Sequence, residues 1–259
     1  MVEAAAPVIQ FHEALYRRGE AIILQNLSFA VQPGETLVLL GRSGSGKTTA
    51  LKLVNRLLEP YAGEVLVEGR ATTAWNPILL RRRIGYVIQE VGLFPHFTVE
   101  KNVGLIPDLE KWPAQRRAER VKEMLRTVGL EPSQFASRYP HELSGGQRQR
   151  TGVARALAGD PPILLMDEPF GALDPLTRAE VQNEFLAIQR KLAKTIIFVT
   201  HDVHEALIFG TRIALLESGA LAGIYAPQEF LRASDPLAAA YVATLQKSPI
   251  AIPQQRGIS

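Results

Sequence analysis

The sequence predicts an α/β protein whose parallel sheet is covered by helices. Short runs of apolar and β-branched residues alternate along the chain with segments in which apolar residues recur at helical spacing. The runs lack the polar alternation of a strand with one solvated face, which indicates strands buried at the centre of a sheet. These strands are predicted at residues 36–40, 84–88, 163–166, 195–200 and 213–216.

Three segments have an apolar residue at every third or fourth position and predict helices that pack on the sheet. Gly129, after the second segment, is typical of the position that ends a helix. Because an apolar stripe of this kind is ordinary core, we assign it no chemistry. The stripes are Leu51, Val54 and Leu58; Ala118, Val121, Leu125 and Val128; and Val181, Phe185, Ile188 and Leu192.

Two regions interrupt the alternation of strands and helices. Residues 8–33 and 63–73 contain weaker strands separated by turn residues, which predicts a small antiparallel sheet attached to the main one. Residues 91–157 contain no convincing strand and several loop prolines, which predicts an inserted helical subdomain. We therefore predict a single domain over residues 1–259, with a core at 1–90 and 158–245, the helical subdomain at 91–157 and a tail at 246–259.

Composition narrows the possible functions. The chain has 259 residues, of which 46% are hydrophobic and 21% charged, so disorder is excluded as the main state. The absence of cysteine excludes disulfides, thiol nucleophiles and Cys-ligated zinc, and fits a cytosolic setting. A net charge of only +3 without a basic run leads us to expect no nucleic-acid partner.

The amino terminus lacks the basic and long apolar regions of a signal peptide. The longest apolar runs are far shorter than the roughly 20 residues that cross a bilayer. Any membrane association is therefore expected to depend on a partner.

A phosphate-binding loop follows the first predicted core strand. Its glycines let the backbone wrap closely around phosphates, and the helix start adds a partial positive charge. Lys47 is placed to reach the β- and γ-phosphates, and the Thr48 hydroxyl is placed to bind Mg²⁺. The alternative is a glycine-rich turn at a helix start, and the strand before the loop and the helix after it favour the phosphate-binding interpretation. The loop consists of Gly41, Arg42, Ser43, Gly44, Ser45, Gly46, Lys47 and Thr48, with Thr49 next in the helix.

Two carboxylates follow the strand at residues 163–166. In open α/β sheets, ligands bind at the carboxyl ends of the strands, where Asp167 and Glu168 fall. Asp167 is suited to hold hydrated Mg²⁺, and Glu168 is then free to act as general base on the attacking water. The alternative interpretation is a helix cap or a solvated acidic pair.

The segment Leu143, Ser144, Gly145, Gly146 and Gln147 resembles the signature of ABC-type ATPases. Ser144 is a good N-cap, and the two glycines leave N–H groups open to an anion. The alternative is a helix that is merely well capped. The resemblance implies a P-loop NTPase core of RecA-like type. It also implies a head-to-tail homodimer in which each ATP lies between the P-loop of one copy and the signature of the other.

Further segments match the family in order. The resemblance implies that Gln89 senses Mg²⁺ and water and hinges the helical subdomain, and that His201 contacts the γ-phosphate. Asp174 lies in a loop that would cross the dimer interface. Tyr16 resembles the aromatic residue that stacks on adenine, with an ordinary strand tyrosine as the alternative and Phe11 as a substitute. The catalytic residues implied are Lys47, Gln89, Glu168 and His201.

Residues 86–99 and 55–60 resemble a narrower branch, the importer ATPases for osmoprotectants such as glycine betaine, choline and proline. This resemblance implies an ATPase subunit at the cytoplasmic face of the membrane. Its partners would be separate transmembrane permease subunits and, indirectly, a solute-binding protein. Several members of that branch append paired regulatory domains, whereas this sequence ends in a tail containing Pro and Gln. Residues 219–222 also depart from the more polar strand turn of relatives.

Two other functions fit the sequence less well. A soluble ABC-type ATPase acting on ribosomes or DNA usually has two ATPase halves or a long inserted coiled coil, and neither is visible here. A P-loop kinase or GTPase leaves the signature and His201 without a role. The apolar cluster Leu93, Phe94, Pro95 and Phe97 favours a docking surface for a permease helix, with core packing as the alternative.

Overall fold

The computed structural model describes residues 6–246 and contains ten strands in that range. The five predicted core strands all form: two have the predicted ends, and three differ by one residue at one or both ends. The strands are β1 (Ile9–Arg18), β2 (Ala21–Val31), β3 (Thr36–Leu40), β4 (Ala62–Val67), β5 (Arg70–Ala71), β6 (Ile84–Val87), β7 (Ile163–Asp167), β8 (Thr195–Thr200), β9 (Arg212–Glu217) and β10 (Ala220–Tyr225).

Helices connect most of these strands and dominate residues 91–157, which contain no strand, as predicted. Two of them, α3 and α4, are only slightly longer than one turn. The helices are α1 (Lys47–Val54), α2 (Pro77–Arg82), α3 (Val99–Val103), α4 (Leu105–Leu109), α5 (Ala114–Thr127), α6 (Pro132–Phe135), α7 (Gly145–Ala158), α8 (Pro175–Leu192), α9 (Val203–Phe209), α10 (Pro227–Phe230) and α11 (Pro236–Gln246).

The larger sheet has six strands in the order β10-β9-β3-β8-β7-β6, so the predicted α/β class is confirmed. All neighbouring pairs are parallel except β10 with β9. The side chains of β3 alternate between two cores, with Leu37 and Leu39 in one and Val38 and Leu40 in the other. Burial on both faces explains why the strand carries no polar alternation.

One prediction about this sheet needs correction, and one of its strands was missed. The strand at Ile84–Val87 lies at an edge instead of the centre; its burial comes from α7, whose Ala156 carbonyl would lie 2.5 Å from a Cβ at Gly85. The antiparallel strand β10 was not predicted, because its small residues give a weak strand pattern. It pairs through Leu221 with Leu216 of β9.

The smaller sheet is antiparallel, as predicted, with strand order β2-β1-β4-β5. Phe11 of β1 and Phe29 of β2 stack with ring centroids 4.4 Å apart. These rings belong to a core that also includes Leu51 and Val54 of α1. The smaller sheet therefore packs on the helix that begins in the P-loop.

The first predicted helix ends earlier than its apolar stripe. Helix α1 stops at Val54, and Arg56 has a left-handed backbone with φ of 52°. The backbone N–H groups of Leu57 and Leu58 both donate to the carbonyl of Lys52. Leu58 lies beyond the helix and still packs against the core, so the tertiary contact preserves the apolar position without the helix.

Other helix boundaries follow the sequence. Helix α5 ends before Gly129, whose φ of 70° is the left-handed conformation predicted for that position. The predicted tail lies outside the described residues apart from Gln246. Within residues 6–246, no helix combines the length and hydrophobicity that a bilayer crossing requires.

Candidate functional site

The P-loop joins the end of β3 to the start of α1, and two of its three glycines, Gly41 and Gly46, are required by close approaches. Gly46 has a φ of 96°, and a Cβ there would lie 2.5 Å from Leu24 Cδ2. A Cβ at Gly41 would lie 2.4 Å from the carbonyl oxygen of Leu216. Side chains larger than hydrogen would therefore displace the loop from β2 and β9.

Lys47 is buried at the start of α1 with its amine turned back onto the loop. Its Nζ donates hydrogen bonds to the carbonyl oxygens of Gly41 at 2.8 Å and Arg42 at 2.9 Å. Burial lowers the pKa of Lys47, while the nearby carboxylates of Glu168 and Asp167 oppose this shift. The amine is thus held at the loop that the sequence predicts to receive phosphate.

Asp167 ends β7 beside the hydroxyl of Thr48. Thr48 Oγ1 donates to Asp167 Oδ1 at 2.8 Å, and Tyr86 Oη lies 3.4 Å from Asp167 Oδ2 as a second donor. Burial raises the pKa of Asp167, and the hydrogen bond from Thr48 opposes the shift. A hydroxyl and a carboxylate are oxygen ligands of the kind that Mg²⁺ uses together with substrate phosphates.

Tyr86 was not predicted as a site residue. The available signal was a polar ring near the carboxyl end of a strand that pairs with β7. In the sequence, this tyrosine is indistinguishable from an ordinary core aromatic. In the structure it packs, partly buried, against the core that contains Phe11 and Phe29.

Glu168 and His201 form a pair at the carboxyl ends of the neighbouring parallel strands β7 and β8. His201 Nδ1 lies 3.1 Å from Glu168 Oε2. The Glu168 backbone is left-handed, with φ of 44°, and its N–H donates to the carbonyl of Val199 at 3.0 Å. This unfavourable conformation aims the carboxylate at the imidazole, an arrangement suited to a general base held by an orienting group.

These residues meet in one cavity of about 800 Å³. Gln89, Glu168 and His201 line it together with the P-loop, so the structure brings the predicted catalytic residues to one place. The P-loop residues in its wall are Arg42, Ser43, Gly44, Gly46, Lys47, Thr48 and Thr49. Gly41 and Ser45 are buried behind the wall.

Helix α11 lines the same cavity, and sequence reasoning missed it. Its contribution is Leu237, Ala240, Tyr241 and Thr244, which are spaced so that they share one helix face. The spacing is visible in the sequence, but the same spacing is typical of an ordinary apolar stripe that packs in the core.

The adenine-stacking interpretation of Tyr16 stays a prediction. Tyr16 does not line the P-loop cavity; it lines a separate surface concavity with Arg17 and Tyr61. Phe11 is 2% exposed and stacked on Phe29, so it is not available as a substitute.

The signature residues do not line the P-loop cavity of their own chain. Ser144 caps α7 by accepting from the N–H of Gln147, whose side chain accepts in return from the N–H of Ser144. A Cβ at Gly146 would lie 2.6 Å from Thr177 Cγ2, so this glycine lets α7 approach α8. Our interpretation that both glycines expose N–H groups therefore omitted the packing role of Gly146.

Asp174 has a similar structural role at the start of α8, where its carboxylate accepts from the N–H of Thr177 at 3.1 Å. Its side chain is exposed and does not reach the P-loop cavity of the same chain. Any contact between nucleotide and Asp174 or the signature would therefore require a second copy.

The segment after Gln89 is hydrogen-bonded to α7, the helix that begins within the signature segment. Arg155 of α7 donates to the carbonyl oxygens of Gly92 and Val91, each at 2.7 Å. A Cβ at Gly152 would lie 2.6 Å from a Val91 methyl group, so the helix approaches this segment closely. Displacement of the segment would therefore move α7 with it.

The fold and this cavity define a P-loop protein with a RecA-like sheet, an attached antiparallel sheet and an inserted helical region. Residues 24–171 match the family described as ABC transporter. The chain belongs to this family.

Several curated relatives are similar over most of this chain. It is 49% identical over 217 residues to the choline transport ATP-binding protein OpuBA of Bacillus subtilis, covering 84% of this chain and 56% of that protein. It is 47% identical to the glycine betaine uptake system ATP-binding protein YehX of Escherichia coli, covering 82% of this chain and 68% of the relative. The chain thus spans little more than half the length of OpuBA.

Solved structures agree with the fold. The dimeric ATP-binding cassette MJ0796, in a post-hydrolysis state bound to ADP and Pi, is 34% identical with a TM-score of 0.74. That match covers 85% of this chain and 98% of the cassette. CbiO1 of Clostridium perfringens, part of the ABC transporter complex cbiONQ, is 25% identical with a TM-score of 0.80, covering 93% and 96% of the two chains.

Proposed function

We propose that this chain is the ATP-hydrolysing subunit of an ABC importer for a small osmoprotectant. The observation that carries the proposal is the Glu168–His201 pair in the same cavity as the P-loop. The names of OpuBA and YehX support the transport role. An ATPase acting on ribosomes or DNA has no comparable support.

Each residue of the cavity has a separate role in the proposed hydrolysis of ATP. Lys47 moves its amine from the loop carbonyls to the β- and γ-phosphates, which it binds by charge. Glu168 accepts the proton of the attacking water, and His201 holds that carboxylate in position while contacting the γ-phosphate. Thr48 and Asp167 are the residues that would hold Mg²⁺, which when bound neutralises charge on the phosphates. Gln89 lines the same space and would be placed to contact the bound ion or the attacking water.

The proposed assembly is a head-to-tail homodimer with ATP between the copies. Its support is the separation within one chain between the P-loop cavity and the exposed starts of α7 and α8. The dimeric form of the related cassette MJ0796 is consistent with it.

An aromatic cluster at Phe94, His96 and Phe97 is the proposed docking surface for the permease. Phe94 is 40% exposed, and its ring centroid lies 5.4 Å from that of Phe97. The buried amide of Asn102 holds this loop in shape: it donates to the carbonyls of Phe94 and Phe97 and accepts from the N–H of Phe94. Two exposed rings and one half-buried ring on a loop held by these hydrogen bonds favour docking over core packing.

A groove continues from Phe97 across the helical region. It has a volume of about 830 Å³ between α3, α4, α5 and α6. Its lining combines apolar side chains with charged side chains of both signs, which suits an amphipathic helix. We assign it to a short cytoplasmic helix of the permease. The groove includes Leu105, Ala118, Val121 and Ala136, with Lys101, Asp108, Lys122 and Glu131 around them.

Replacing Phe94 and Phe97 together by Ser is expected to abolish solute uptake while leaving basal ATP hydrolysis and the melting temperature nearly unchanged. Neither ring belongs to the fully buried core, so the cost to folding is small. Uptake and ATPase activity are measured on the same variant. Ile78→Ser, which also removes an exposed apolar side chain, serves as the control. Unfolding of the double variant, or normal uptake, would contradict the docking role.

The expected solute is a small zwitterion or quaternary ammonium compound, such as glycine betaine or choline. Support comes from the relatives and from the resemblance of residues 86–99. Deleting the gene should abolish uptake of labelled glycine betaine or choline, and restoring it should recover uptake. Loss of amino-acid or sugar uptake alone would overturn the assignment. Co-purification of the chain with a permease tests the importer role independently.

A further inference from the structure

We propose that helix α11 is a second wall of the nucleotide site and that ATP bound on the P-loop contacts its Ala240, Tyr241 and Thr244. This inference rests on the proposed ATP binding and adds residues that the family signatures do not include. The face of α11 that carries these residues also carries Leu237, and it borders the cavity shared by the P-loop, Glu168 and His201.

A capping residue and core packing hold helix α11 in place beside the cavity. Asp235 caps its start by accepting from the N–H groups of Leu237 and Ala238 at 3.0 and 2.9 Å. Ala238 is fully buried, and Val242 and Leu245 pack against the core that contains Val38 and Leu40 of β3. Core packing therefore fixes α11, and Leu237 and Tyr241 pack against the same core while they border the cavity.

The cavity-facing side offers groups that suit a nucleotide. It consists of Leu237, Ala240, Tyr241 and Thr244, and the Thr244 hydroxyl donates to the backbone carbonyl of Tyr241 at 2.6 Å. Tyr241 Oη is buried and has no hydrogen-bond partner among residues 6–246. Burial raises the pKa of Tyr241, while the Arg42 guanidinium nearby opposes the shift, so the side chain stays uncharged. No residue of α11 is charged, so nothing on this wall repels phosphate.

A pair of adjacent alanines gives a matched test. Ala239 and Ala240 are both exposed on α11, but only Ala240 borders the cavity. Ala240→Glu should weaken binding of a non-hydrolysable ATP analogue with Mg²⁺ by about 5- to 20-fold, because a carboxylate there repels the phosphates. Ala239→Glu should change the affinity by less than about twofold, since surface charges farther away are screened.

Titration calorimetry on the full chain measures the affinities, and melting curves confirm that each variant folds. Glu is a good helix former, so α11 should persist in both variants. Ala240→Gln separates volume from charge: its effect should be smaller than that of Glu, and raising the salt concentration should reduce only the effect of Glu.

An affinity for Ala240→Glu equal to the wild-type value, or equal weakening by Ala239→Glu, would overturn the inference. Failure of the wild-type chain to bind the analogue would instead contradict the proposed function. The two failures are therefore distinguishable in one set of titrations.

Discussion

Replacing Glu168 by Gln is expected to lower the steady-state rate of ATP hydrolysis by about 10²- to 10⁴-fold, the usual contribution of a general base. The amide cannot accept a proton from water, but it matches the carboxylate in shape and keeps a partner for His201 at the 3.1 Å contact. ATP affinity should therefore remain close to the wild-type value. Phosphate release and analogue binding, measured on the same preparation, test both parts of this prediction.

Glu180→Gln provides a matched control, because Glu180 is an exposed acid on α8 outside the cavity. It should hydrolyse ATP at the wild-type rate. A Glu168→Gln variant that also hydrolysed ATP normally would show that another group accepts the proton.

The same variant tests the head-to-tail assembly. Because hydrolysis is slow, ATP should accumulate between two copies and stabilise the dimer over the monomer by its differential affinity. Sedimentation of Glu168→Gln should show a mass increase with ATP and Mg²⁺, and none with ADP. An unchanged monomer mass at saturating ATP would contradict the proposed assembly.

Replacing Gly46 by Ala is expected to reduce nucleotide affinity by about 30-fold or more. The residue has a φ of 96°, and its new Cβ would lie 2.5 Å from Leu24 Cδ2. A left-handed backbone costs an L-residue about 1–2 kcal/mol, and the overlap with Leu24 adds to this. The loop would leave its phosphate-binding shape, and apparent affinity falls with the fraction of chains that keep that shape.

Gly69→Ala separates the backbone cost from the effect on the site. Gly69 also has a left-handed backbone, with φ of 72°, but no atom lies within 4 Å of its added Cβ and it is remote from the cavity. Its melting temperature should fall slightly while ATP affinity stays unchanged. Wild-type affinity in Gly46→Ala would show that the loop tolerates a side chain.

The sequence by itself determined the parts of this protein that depend on local chemistry. The P-loop was readable because its glycines, Lys47 and Thr48 must stand at set distances along the chain to surround a phosphate. The core strands were readable because burial on both faces leaves a continuous apolar run, as in 36–40 and 195–200. The parallel order of β7 and β8 then placed Glu168 and His201 together, as their positions after two core strands implied.

Only the tertiary structure decided the features that depend on contacts between distant segments. The edge position of β6, the pairing of β10 and the packing of Gly146 against Thr177 are set by neighbours far away in the chain. The bond from Tyr86 to Asp167 and the wall formed by Tyr241 arise in the same way. An apolar or aromatic residue in the sequence predicts that its side chain will be buried. What it is buried against is decided when the elements pack.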